Sequence, residues 1–153
     1  MFKALLLLLP FVVIAAAAEL PQKKYLNLAA IKKLVATAEA EALNRKVQVT
    51  IVIMDESGNL LFLQKADGAG LNTIQFAQKK ARYAALYGRP SKVAADQLKE
   101  GNLQILAFPD GFPNQGGVPI KVDGHVIGSM ACSGAASEVD EAISRAAIDE
   151  LLK

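Results

Sequence analysis

The one histidine and the one cysteine of this chain limit the chemistry that its side chains can perform. A Ser/His/Asp triad needs a histidine beside an activated serine, and no serine here lies in a Gly-x-Ser-x-Gly nucleophile elbow. His125 follows a predicted turn, where a surface or strand-end role is the alternative to a ligand role. Cys132 lies in an apolar run without a flanking cation, so we expect a buried, unreactive thiol. Zinc sites built from several cysteines or histidines are excluded.

Gly116 and Gly117 form a glycine pair in a segment rich in turn-forming residues, from Phe108 to Gly117. The pair lacks the Lys-Ser/Thr that follows the glycines of a phosphate-binding loop. Its composition instead predicts an irregular loop with tight backbone turns. Asp110 is the one general-base candidate that we identify in this loop.

The elements that must position these residues follow from hydrophobic periodicity. Helical spacing predicts helices that begin at Asn27, Thr73, Ser91 and Ser137, with Asp140 closing a capping box in the last of them. A small-residue face on the helix from Thr73 would let it lie close to its support. Period-two and β-branched runs predict two hairpins, Val47–Met54 with Leu60–Lys65 and Val118–Val122 with His125–Ser133. The order predicts an α+β domain whose antiparallel sheet is packed with helices and, in the first hairpin, covered on both faces.

The N-terminus has the layout of a cleavable secretory signal peptide. Lys3 precedes an apolar run from Ala4 to Ile14, and small residues follow up to Ala18. The run is shorter than the ~20 residues that cross a bilayer, although an uncleaved anchor is the alternative. We therefore expect a signal peptide at residues 1–18, one domain at residues 19–153, and a periplasmic or secreted location without membrane attachment after cleavage.

The charge balance excludes one class of partner. The chain has 17 basic and 15 acidic residues, and one of the basic residues, Lys3, lies in the leader. Nucleic-acid binding depends on clustered Lys and Arg, and both signs are interspersed here. We expect no nucleic-acid partner.

A set of glycine-marked segments carries a resemblance to a known family. They are, in chain order, Asp67-Gly68-Ala69, Lys80-Ala81, Arg89-Pro90-Ser91, Gly116-Gly117-Val118-Pro119-Ile120, Asp123-Gly124, and Ser133-Gly134 leading to Asp140-Glu141. In this order and spacing, from about Leu28 to Leu151, the chain resembles the GlcG/HbpS family, which is related to the C-terminal domain of PduO-type proteins. The resemblance implies a profilin-like three-layer fold with a five-stranded antiparallel sheet between helices. It also implies self-assembly into a homo-oligomer and haem binding.

Haem requires an apolar slot, cations for its propionates and an axial donor. His125 is the iron ligand with the most suitable chemistry, and Tyr83 is the second candidate. The helix from Thr73 carries cations and aromatic residues at intervals of four and seven, and we expect Lys80, Arg82, Gly116 and Gly117 to contact the cofactor. In the alternative interpretation the cations are a solvated face and the aromatic residues pack against a neighbouring subunit.

Three functions remain open at this stage. The first is an exported haem-binding protein that serves haem storage, sensing or degradation. The second is an enzyme that acts on haem or on a small organic acid with the Phe108–Gly117 loop in its pocket. The third is a protein-interaction or sensory module without ligand chemistry, since a fold alone does not determine function.

Overall fold

The computed structural model describes residues 18–153, so the predicted signal peptide, apart from Ala18, lies outside the described residues. Within this range the chain forms four α-helices, one 3-10 helix and four strands. Their bounds are α1 Leu28–Asn44, β1 Thr50–Met54, β2 Leu60–Lys65, α2 Thr73–Tyr87, α3 Lys92–Lys99, the 3-10 helix Leu103–Leu106, β3 Gly117–Val122, β4 His125–Ser133 and α4 Ser137–Leu152.

The strands form one antiparallel sheet in the order β2-β1-β4-β3, which confirms the predicted α+β class and both hairpins. The expectation of five strands is wrong, because residues 18–153 contribute four. The segment Leu103–Leu106 forms a 3-10 helix. Ile105 is fully buried there, while Leu103 and Leu106 remain 66% and 58% exposed. With a single inward-facing residue, this run lacks the alternating buried positions of a strand.

Helices cover both faces of the sheet. Alternate residues of β1 point to opposite sides, as strand geometry requires, and all five are buried. Ile51 and Ile53 pack with α1 and α4, whereas Val52 and Met54 pack against the alanines of α2. Ala77, Ala81, Ala84 and Ala85 are all buried, which confirms the predicted small-residue face of this helix.

Local hydrogen bonds test the predicted caps and turns. The Asn27 side chain accepts from the Ala30 amide and caps α1 as expected. Asp123 and Gly124 both have positive φ, 50° and 79°, and close the predicted two-residue hairpin turn. Ser91 is the N-cap residue of α3 as predicted, although its hydroxyl does not bond to that helix. The predicted cap at Ser137 is wrong, because Ala136 is the N-cap residue of α4. Ser91 Oγ accepts from the Gly117 amide, and Ser137 Oγ bonds to Asn114, since long-range partners outcompete the local ones.

No helix in the described part of the chain, residues 18–153, has the length and apolarity needed to span a membrane.

Candidate functional site

Lys80 lies at the centre of a buried polar cluster between α2, β4 and α4. Its ammonium group is 2.9 Å from Asp140 Oδ2 and 3.3 Å from the Cys132 carbonyl oxygen. Both charged side chains are only 2% exposed. Asp140 Oδ1 also accepts from the Ala135 amide at 3.0 Å, so the carboxylate joins the end of β4 to the start of α4. A buried charge pair of this kind is tolerated because each partner is hydrogen-bonded.

The glycine pair packs directly against Lys80. A Cβ added to Gly117 would lie 2.2 Å from the Lys80 carbonyl oxygen, and one on Gly116 would lie 2.9 Å from Lys80 Nζ. Gly116 also has a φ of 136°, a conformation that disfavours any side chain. Its carbonyl accepts from the Ser144 hydroxyl at 3.0 Å. These glycines therefore let α2 lie on the start of β3.

Cys132 is fully buried beside this cluster, as predicted. Burial raises the pKa of its thiol from the ordinary value of 9.0 to about 12, an effect that a hydrogen bond with Ser144 partly offsets. The thiolate is therefore absent at neutral pH, and the thiol is not a nucleophile there.

A cleft of about 250 Å³ opens beside Lys80 and Asp140, and the motif residues Ser133 and Gly134 also line it. We call it the glycine cleft. Its lining residues come from four regions of the chain: Gly70, Asn72, Thr73 and Phe76; Lys80; Asn114; and Ser133, Gly134, Ala135, Ser137 and Asp140.

Tyr83 lies one turn further along α2 and is fully buried. Its ring stacks on Tyr87 with centroids 4.7 Å apart. Arg89 Nε donates to the Tyr83 hydroxyl at 2.8 Å. Ile105 and Ala94 complete the enclosure of the phenol. The phenol therefore holds α2, α3 and the 3-10 helix together in this structure.

Arg82 connects α2 to the irregular loop. Its Nε donates to Asp110 Oδ1 at 2.8 Å, and one terminal nitrogen donates to the Gly58 carbonyl at 3.0 Å. Phe112 from the same loop packs edge-on against Phe76, with centroids 5.3 Å apart. Asp110, the general-base candidate of the loop, is thus engaged in an ion pair.

His125 lies at the turn of the β3–β4 hairpin, at the opposite end of β4 from Ser133 and the glycine cleft, and is exposed. It borders a cleft of about 530 Å³, which we call the histidine cleft. The cleft is lined by Pro21, Gln22, Lys23, Lys24, Val122, Asp123, His125, Val126 and Ile127. Lys24 Nζ is 2.6 Å from Asp123 Oδ2, and this hydrogen bond holds the pKa of Asp123 below its ordinary value. Lys23 pairs with Glu56.

The structure separates the predicted site residues into groups. Gly116 and Gly117 pack against Lys80, which alone of the three lines the glycine cleft. Tyr83 and Arg82 make separate contacts along α2. His125 is eight residues from Ser133 along β4, or about 26 Å at the rise of a strand.

Two features of these clefts escaped the sequence analysis. Asp140 was assigned to a helix cap, although its place in the last motif segment was a signal of a wider role. Lys23 and Lys24 precede the first predicted helix and carry no periodicity, so no pattern linked them to His125.

Comparison with known proteins agrees with the motif pattern. Protein GlcG of Escherichia coli strain K12 is 32% identical over 100 residues, which cover 65% of this chain and 75% of GlcG. A double mutant of HbpS from Streptomyces reticuli superimposes with a TM-score of 0.79 at 27% identity, over 93% of this chain and 99% of that one. The haem complex of PduOC superimposes with a TM-score of 0.76 at 25% identity, over 82% and 94% of the two chains.

Residues 26–149 match the family described as "Haem degrading protein HbpS-like". The match spans every helix and strand described above, with α4 running three residues beyond it. The resemblance inferred from the glycine-marked segments is confirmed, and the chain belongs to the HbpS-like family.

Proposed function

We propose that this chain is an exported haem-binding protein and that the histidine cleft holds the cofactor. The observation that carries the proposal is the exposed imidazole of His125 in a cleft that has an apolar wall and two lysines. The family description and the haem complex of the similar PduOC protein support haem as the ligand.

The residues of the histidine cleft fit the requirements of haem. Imidazole is a common axial donor, and His125 is the only histidine of the chain. Val122, Val126 and Ile127 supply an apolar wall for the porphyrin face. The cleft volume of about 530 Å³ lies within the range of about 300–1,000 Å³ typical of ligand pockets.

The lysines of the cleft would bind the propionates. Lys24 now pairs with Asp123, and both side chains are mostly exposed, at 65% and 74%. An exposed pair of this type contributes little stability, so exchanging Asp123 for a propionate costs little. Bound haem would supply a redox-active iron, and the role of the protein is to hold it through His125 and to shield one porphyrin face.

A hemin titration tests this proposal. Hemin added to the mature protein should give a shifted Soret band that saturates at micromolar concentration, because an imidazole–iron bond changes the iron's electronic environment. His125→Ala should abolish the shifted band. Tyr83→Phe is the matched control and should retain it, because the buried phenol does not border the cleft. A flat titration of the wild type, or an unchanged spectrum in His125→Ala, would overturn the assignment.

Haem storage, sensing and degradation are distinguished by a second measurement on the loaded protein. The family description favours degradation. With a reductant and oxygen present, degradation predicts loss of the Soret band and catalytic release of iron, whereas storage or sensing predicts a stable band.

We also propose that the protein assembles as a homo-oligomer through edge strand β2. Leu60 and Leu61 on this strand are 49% and 40% exposed, and Leu86 of α2 is 42% exposed beside the β1–β2 turn. Exposed leucines on an edge strand with unpaired backbone groups can pair with a second copy of the strand. Light scattering should give a mass that is a multiple of the protomer, and a monomer at all concentrations would contradict this part of the proposal.

A further inference from the structure

One wall of the histidine cleft is a short segment, residues 21–24, which we call the N-terminal strap. All four residues are exposed, and no backbone hydrogen bond seen within residues 18–153 ties them to another element. The chain is next fixed at Leu26, which is buried against Gly128, where an added Cβ would lie 2.5 Å from Leu26 Cδ1. Segments near a chain end are poorly ordered unless they are tied down. The place of the strap therefore depends on its side chains.

Two lysines of the strap hold it to the turns of the two hairpins. Lys24 pairs with Asp123 in the β3–β4 turn, and Lys23 pairs with Glu56 in the β1–β2 turn. A haem propionate that binds Lys24 would take the place of Asp123, as proposed above. Of these two ion pairs, Lys23–Glu56 is then the one that still joins the strap to the rest of the protein.

Glu56 is suited to this task because the β1–β2 turn that carries it is held by several hydrogen bonds. Asp55 Oδ1 accepts from the amides of Ser57 and Asn59 at 2.9 and 2.8 Å, and Asp55 Oδ2 accepts from the Asn59 side chain at 3.0 Å. The Glu56 side chain is 27% exposed. The hydrogen bond from Lys23 holds the pKa of Glu56 below its ordinary value, so the carboxylate is charged at neutral pH.

From this arrangement we propose that Glu56 is a positioning residue for the histidine cleft, which acts through Lys23 to hold the N-terminal strap and so keeps Lys24 within reach of a haem propionate. The inference rests on the proposed haem site, although Glu56 does not itself line the cleft. Its effect is on the retention of the ligand, because the strap would cover bound haem, and not on the bond between His125 and the iron.

The first test needs no haem and measures the order of the strap by backbone amide NMR relaxation of the mature protein. The order parameters of the Gln22 and Lys24 amides should be near about 0.85 in the wild type and should fall towards about 0.6 in Glu56→Gln. Glu100→Gln is the matched control, because it removes the same charge from an exposed residue at the end of α3 and should change neither amide. Equal order in the wild type and Glu56→Gln would overturn the proposal.

A charge reversal tests whether the ion pair itself is responsible. Glu56→Lys places two like charges together and should loosen the strap, and adding Lys23→Glu should restore its order because opposite charges again face each other. A double variant as disordered as Glu56→Lys would contradict the role of the pair.

The second test measures the release of hemin from the loaded protein to an excess of apomyoglobin. Release from Glu56→Gln should be about two- to fivefold faster than from the wild type, with an unchanged Soret band because His125 remains the ligand. Glu100→Gln should release hemin at the wild-type rate. Unchanged release in Glu56→Gln, or a shifted Soret band, would overturn the positioning role. A wild type that binds no hemin would overturn the haem assignment, and the relaxation data alone would then decide the role of Glu56.

Discussion

Lys80 is the charged side chain on which the polar interior of this protein depends. It joins α2 to β4 through the Cys132 carbonyl and to α4 through Asp140, and its own backbone lies against Gly117. The neighbouring Lys79 is exposed and lies over the Phe112 ring. Of these two adjacent lysines, Lys80 lies on the buried face of α2 and Lys79 on its exposed face, so only Lys80 joins the elements of the interior.

Replacement of Lys80 should be severely destabilising. Lys80→Met leaves the Asp140 carboxylate buried without its cation, and the free energy of unfolding should fall by about 3–5 kcal/mol in urea denaturation. Lys79→Met should change it by no more than about 0.5 kcal/mol. Adding Asp140→Asn to Lys80→Met should recover part of the loss, because a neutral amide still accepts from Ala135. A double variant less stable than the single one would contradict this interpretation.

The buried thiol of Cys132 predicts a specific loss of stability at alkaline pH. Its pKa is raised from 9.0 to about 12 in the folded protein, so above pH 9 the unfolded chain loses the proton while the folded protein keeps it. The thiol's contribution is therefore complete below pH 9 and declines as the pH rises towards 12, by at most about 1.4 kcal/mol per pH unit. Cys132→Ala should lack this component when urea denaturation is compared between pH 8 and 10.5. Parallel pH profiles for the two proteins would show that the thiol is not protected.

At the scale of elements, local patterns predicted the helices and hairpins well, while long-range contacts decided the rest. The Asp123-Gly124 turn and the alanine face of α2 follow from residue types at short spacing. The hydroxyls of Ser91 and Ser137 do not cap their helices because they bond to Gly117 and Asn114, more than 20 residues distant. The five-strand expectation came from the family resemblance and not from a strand pattern in this chain.

The sequence predicted part of each cleft, because it shows residue types but not which distant segments lie together. The motif residues that line the glycine cleft, Lys80, Ser133, Gly134 and Asp140, were visible in the sequence, but their proximity in the fold was not. Tyr83 and His125 were both predicted as iron ligands because both side chains are chemically suitable donors. Only the fold shows that the Tyr83 phenol is buried and the His125 imidazole is exposed.

The close packing of α2 on β3 predicts that a side chain at Gly117 is destabilising. Gly117→Ala would place a Cβ 2.2 Å from the Lys80 carbonyl oxygen, and the backbone of α2 must move to relieve the clash. We expect a loss of about 3 kcal/mol, or a fall of about 6–12 °C in the melting temperature. Gly124→Ala, which meets nothing within 4 Å but has a φ of 79°, should cost only about 1–2 kcal/mol. A smaller effect at Gly117 than at Gly124 would show that the helix does not lie on this strand as described.

In the whole of residues 18–153, the histidine cleft and the glycine cleft lie at opposite ends of the β3–β4 hairpin. The histidine cleft includes Pro21, Gln22, Lys23 and Lys24, which closely follow the predicted cleavage point after Ala18. Export and haem binding are therefore linked in our proposal, since processing would leave a new N-terminus a few residues from the cleft.

Processing is directly measurable. The protein recovered from the periplasm or the medium should begin at Glu19, because small residues at Ala16 and Ala18 satisfy the cleavage rule. N-terminal sequencing or intact mass would show this. Replacing Ala16 and Ala18 with bulky residues should block cleavage, and a secreted-fraction protein that retains residues 1–18 would contradict the prediction.

Haem binding at His125 is tested most directly by the absorption spectrum of the protein as isolated from cells supplied with a haem precursor. We expect the wild-type protein to be purified with a Soret band and His125→Ala, produced in parallel and folded to the same extent, to be purified without one. A colourless wild-type protein, or an equally coloured His125→Ala variant, would contradict it.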